Sequence, residues 1–92
     1  MTDAPASAEP HEIRLKRLRM RSWRRGTREM DLLLGGYADG ALAGLDAAAL
    51  DAYEQLLEEP DQELYLWVSG ARDPDPAHVP TITAIQSFHN IA

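Results

Sequence analysis

The 92-residue sequence predicts an all-α fold, a compact bundle of about five short helices. Two observations point there. Apolar residues recur at spacings of three and four along most of the chain. No alternating apolar–polar run is bounded by hairpin turns, so nothing reads as a pair of strands. Apolar residues make up 45% and charged residues 26%, a globular rather than a disordered balance. Residues 1–10, rich in Ala, Pro and Ser, read as a flexible tail, and residues 11–92 as one helical domain.

The first helix is expected from His11, with Arg14, Arg17, Arg21 and Arg24 on one arc and Leu15, Leu18 and Ser22 on another. Gly26 should close it near Arg25. Thr27 can cap the next helix, with Glu29 and Asp31 in the first turn, where negative charge suits the macrodipole. Met30, Leu33, Leu34 and Tyr37 form its apolar face, and Gly35-Gly36 is expected to interrupt it. Asp46 caps a third helix carrying Leu50, Tyr53, Leu56 and Leu57. Asp61 marks a fourth start, followed by Leu64, Tyr65, Trp67 and Val68 and ended by Gly70. Asp73-Pro74-Asp75-Pro76 must be a loop. Val79, Ile82, Ile85 and Phe88 recur every three residues in a last helix, with Pro80 in its first turn and an end near Asn90. The expected core is Leu18, Leu33, Leu34, Leu50, Tyr53, Leu56, Leu57, Leu64, Trp67 and Ile85.

The absence of cysteine excludes disulfides, thiolate metal sites and cysteine nucleophiles. His11, His78 and His89 have no second ligand at metal-binding spacing and read as exposed or loop residues. No nucleophile elbow or phosphate loop is present, so the chain is expected not to be an enzyme. No apolar stretch approaches a membrane span. The first ten residues resemble neither a secretory signal nor an Arg-rich transit peptide, and a cytoplasmic protein is expected on that ground.

The net charge of −6 conceals a split. Residues 1–30 hold eight basic and four acidic residues, +4, whereas residues 31–92 hold one basic and eleven acidic residues, −10. Such a chain either folds its ends together or shows opposite faces to different partners. The basic helix could contact a nucleic-acid backbone, but the acidic remainder would repel a polyanion and Trp23 alone is no stacking platform. No nucleic-acid partner is therefore expected.

The arginines around Gly26 exceed what a helical corner requires. There the run Arg21-Ser22-Trp23-Arg24-Arg25-Gly26-Thr27-Arg28-Glu29-Met30-Asp31 resembles the R-G-x-x-E signature of the succinate dehydrogenase assembly (flavinylation) factors. Leu56-Leu57-Glu58, Asp61, Glu63-Leu64 and Tyr65-Leu66-Trp67 resemble the family's second block, L-L-E…D-x-[DE]-L-[FY]-x-W. Together the blocks cover about Arg14 to Gly70. The resemblance implies a five-helix chaperone that binds the flavoprotein subunit of succinate dehydrogenase, and in some bacteria that of fumarate reductase, and promotes covalent attachment of FAD to it. It implies client contacts at Arg25, Gly26 and Glu29, flanked by Arg24, Met30 and Asp31. The FAD belongs to the client, so no cofactor is expected on this chain, and the free factor is expected to be a monomer. With no transit peptide in view, a bacterial, cytoplasmic member is expected. The competing reading is an antitoxin-like or regulatory protein-binding module, a label this family has also carried.

Overall fold

The computed structural model describes residues 9–91. Most of the tail expected over residues 1–10 lies outside them. Five α-helices follow in order: α1 (His11–Ser22), α2 (Arg28–Ala41), α3 (Ala47–Leu56), α4 (Asp61–Ser69) and α5 (Val79–Phe88). Single 3-10 turns at Leu42–Gly44 and Pro76–His78 lead into α3 and α5. Among the described residues there is no strand, and no helix is long and apolar enough to cross a membrane.

Two caps operate as the sequence predicts. Thr27 Oγ1 accepts from the Met30 N–H at 3.2 Å and Asp46 Oδ1 from the Ala49 N–H at 2.8 Å, each satisfying a donor that a helix start leaves unpaired. Asp61 does begin α4, but the capping position is Pro60, and the Asp61 carboxylate is used elsewhere. Two other boundaries differ. α1 ends at Ser22, before the expected stop, closed by the Trp23 N–H on the Arg19 carbonyl at 3.1 Å and the Arg24 N–H on the Arg21 carbonyl at 3.5 Å. And α2 runs through Gly35-Gly36 without a break to Ala41.

That continuity has a packing cause. The Trp23 indole lies so close to Gly35 that a Cβ there would sit 2.2 Å from its Cδ2, and the Phe88 ring stands 2.6 Å from the equivalent point at Gly40. The helix gives up roughly 1 kcal/mol of propensity per glycine and receives an aromatic ring at two places. Trp23 is fixed further by its Nε1–H donating to Asp39 at 3.2 Å.

All five helices contribute to one apolar cluster. α1 and α5 both pack on α2, while α3 and α4 pack on α5. Every expected core residue is buried except Leu33, which is half-buried against the cluster. Near its centre the Tyr53 hydroxyl meets Ser22 Oγ at 2.6 Å and donates to the Leu34 carbonyl at 3.3 Å. Burial pushes the Tyr53 hydroxyl up to about 12, so it stays a neutral donor. Val79 and Phe88, expected on the buried face of α5, are each 43% exposed. Phe88 leans edge-on against Tyr37 with ring centroids 5.6 Å apart.

Candidate functional site

The charge split is resolved largely inside the fold. Arg14 pairs with Asp51 at 2.6 Å and Glu54 at 3.1 Å, Arg17 with Glu54 at 2.7 Å and Glu9 at 2.8 Å, and Arg21 with Glu58 at 2.7 Å. The basic arc of α1 thus lies against the acidic side of α3. The Arg17 hydrogen bond, followed by that of Arg14, holds the Glu54 carboxyl below its ordinary value. The hydrogen bonds that Arg17 donates to Glu9 and Glu54 raise its guanidinium in turn. These pairs leave Lys16 and Arg19 on α1, and Arg24 and Arg28 at the corner after it, without an ion-pair partner among the described residues.

The corner, residues 23–27, is held by Arg25. Its Nε–H donates to Asp61 Oδ1 at 2.8 Å, one terminal nitrogen to the Leu57 carbonyl at 2.9 Å and the other to the Glu59 carbonyl at 3.0 Å. The planar fork suits three acceptors at once. It clips the corner to the α3–α4 connection, and only 11% of the side chain remains exposed. The Arg25 backbone N–H donates to Asp31 Oδ1 at 2.7 Å. Gly26 follows at φ +107°, a conformation that side-chain-bearing residues rarely adopt.

The six residues singled out by sequence therefore fall in two sets. Arg24, Gly26 and Glu29 are exposed. Arg25 and Asp31 turn inward to bond the corner itself, and Met30 is 2% exposed in the core. Among the described residues neither Arg24 nor Glu29 has an ion-pair partner, and the same holds for the exposed Arg28. The outer surface offers two free cations and a free carboxylate around a rigid glycine turn. That combination can dock on a protein of mixed charge.

Sequence reasoning missed the ground beside this corner. A depression of about 510 Å³ between α2 and α4 is lined by Thr27, Glu29, Met30, Asp61, Gln62, Tyr65 and Leu66. A second, of about 340 Å³, continues it past Glu29, Leu32, Leu33, Tyr65, Val68, Ser69 and Ile91. Tyr65 is 46% and Leu32 50% exposed. The signal was present in the second block: its aromatic position, Tyr65, lies one residue after Leu64 and two before Trp67, and cannot share their buried side of a helix.

Two histidines also differ from expectation. His78 is buried, with Nε2 3.0 Å from Glu59 Oε2 and its ring 5.6 Å from that of Trp67. His89 is half-buried with Nε2 2.7 Å from the Leu33 carbonyl oxygen. Among the described residues no three His, Asp or Glu side chains gather as a metal site.

Residues 16–89 match the family model described as flavinator of succinate dehydrogenase. Similar curated proteins include mitochondrial succinate dehydrogenase assembly factor 2 of Meyerozyma guilliermondii, 40% identical over 70 residues, 76% of this chain and 52% of the relative. The proteins of that name from Mycosarcoma maydis and Schizosaccharomyces pombe are 40% and 39% identical over 76% and 73% of this chain, and 29% and 48% of their own lengths. The chain spans about half the length, or less, of these relatives. No solved structure matches it significantly. The expectation of a bacterial, cytoplasmic protein is overturned by these matches, since the relatives are mitochondrial proteins of fungi. Its basis, the composition of the first ten residues, carries no weight for a chain that aligns with only part of its relatives. With four-fifths of its residues under the family model, the chain belongs to the family of flavinators of succinate dehydrogenase.

Proposed function

We propose that this protein is a succinate dehydrogenase assembly factor that binds the flavoprotein subunit and promotes covalent attachment of FAD to it. The observation that carries the reading is the family match over residues 16–89, which includes the whole signature corner. The geometry supports it in a specific way. Arg25, Thr27 and Asp31 set the corner rigidly through bonds within the chain. Arg24, Gly26, Arg28 and Glu29 stand on its outer surface. A preset surface binds without the entropy cost of ordering loops. The reacting groups, a side chain and the flavin, belong to the client, and this chain contributes positioning. On this reading the flavin is the client's, and the purified protein is expected to show no flavin absorbance.

The test is covalent flavin on the flavoprotein subunit, read as in-gel fluorescence after denaturation. Cells with the gene intact, deleted, or carrying Glu29→Ala are compared. Fluorescence lost on deletion and weak in the variant supports the reading, whereas equal fluorescence in all three overturns it.

A further inference from the structure

We infer that the groove between α2 and α4 receives an arginine-bearing segment of the flavoprotein subunit, its guanidinium held between the Glu29 carboxylate and the Tyr65 ring. The inference rests on the function proposed above and names the part of the client that the groove fits. Glu29 and Tyr65 each line both depressions, so the two make one groove beginning at the corner. Its walls are apolar, and Leu32 and Tyr65 expose about half of their surface there. Exposed apolar ground of this kind, continuous with charged residues, marks a contact surface.

The charge on its rim specifies the occupant. Glu29 has no cationic partner among the described residues. Asp61 gives Oδ1 to Arg25, while its Oδ2 faces the Gly26 turn, 3.8 Å from where a Cβ there would stand. No lysine or arginine lines either depression. An apolar groove with one uncompensated carboxylate on its rim, that of Glu29, suits a cation carried among apolar side chains. Arginine meets both demands of the site, because its planar group pairs with a carboxylate and also stacks on an aromatic face, which an ammonium does less well. The rest of α4 explains why Tyr65 is available: Leu64, Trp67 and Val68 turn into the core, leaving Tyr65 outward.

The experiment measures the affinity of the purified flavoprotein subunit for the full chain by titration calorimetry. It compares wild type with Tyr65→Ala, Glu29→Ala and the double variant, all checked for helicity and melting temperature. Val79→Ala, an equally exposed apolar residue away from this groove, serves as control. Each single groove variant is expected to weaken binding by about tenfold or more. The double variant is expected to lose much less than the product of the two, because both side chains grip one group. The control should stay within about twofold of wild type. Multiplicative losses would overturn the shared arginine, and unchanged affinity in Tyr65→Ala would overturn the groove while leaving the proposed function standing. Self-association of the free chain that Tyr65→Ala abolishes would assign the groove to a second copy and overturn the client assignment. Wild type failing to bind the subunit would overturn both this inference and the function beneath it.

Discussion

Replacing Arg25 with alanine removes the clip between the corner and the α3–α4 connection, and the loss should appear first as stability. Three hydrogen bonds disappear, to Asp61, Leu57 and Glu59. Bonds from a charged group can each contribute about 1.5–3 kcal/mol, but water can replace some of them at a site that is partly exposed. Taking about 1 kcal/mol for each gives a loss of about 3 kcal/mol. For a domain of this size that lowers the melting temperature by about 12–24 °C. Urea unfolding followed by circular dichroism measures it, with Arg24→Ala as the companion. Arg24 is exposed and without an ion-pair partner among the described residues, so its loss should stay within about 0.5 kcal/mol. Arg25→Ala falling inside that same range would refute the structural role assigned to Arg25. The result also bears on the proposed function: an Arg25 variant is expected to bind a client poorly through a loosened corner, and Arg24 or Glu29 variants are expected to do so with the fold intact.

Gly35→Ala gains about 1 kcal/mol of helix propensity but drives a Cβ into the Trp23 indole. A net loss of about 1 kcal/mol and a red shift of tryptophan emission are expected, and a more stable variant with unshifted emission would contradict the packing. Tyr53→Phe removes the hydroxyl's contacts with Ser22 Oγ and the Leu34 carbonyl while Ser22 keeps its bond to the Leu18 carbonyl, costing about 1 kcal/mol in urea unfolding. For Glu54 the sign is set by a carboxyl held below 4.5 in the folded state. Its contribution is present above that pH and is lost as pH falls through the lowered folded value. Glu54→Gln should therefore be less stable than wild type at neutral pH, by about 1 kcal/mol or less. The gap should close as acid protonates the wild-type carboxyl, and a gap that widens below pH 4.5 would reverse the assignment.

Much of the fold was legible because its signals are local. Thr27 and Asp46 announce their helices through their own side chains, and the apolar spacing of α3 and α4 leads directly to the core residues found. The continuity of α2 was not legible in the same way. Glycine propensity is a local quantity, whereas the reason for Gly35 is an indole arriving from the preceding corner and that for Gly40 a ring from α5. The arc of arginines on α1 was visible, but apart from Glu9 the acids that pair with it, Asp51, Glu54 and Glu58, lie on or just after α3, some 37–40 residues away in sequence.

The candidate site shows the same division. A sequence motif marks Arg25, Gly26 and Glu29 alike, although Arg25 faces inward and Glu29 outward. Met30, next to Glu29, has its side chain in the core because adjacent helix positions point in different directions. Tyr65 and Leu32 carry a readable signal, an apolar side chain off the buried stripe of its helix. Such residues are common singly on protein surfaces, and only the fold brings these two beside Glu29.

The most direct test of the proposed function uses purified components. The flavin-free flavoprotein subunit is mixed with FAD, with and without this protein, and covalent flavin is followed over time. Wild type is expected to accelerate the attachment, and Glu29→Ala, folded but altered at the exposed corner, to accelerate it far less. A time course that wild type leaves unchanged would contradict a role in flavin attachment.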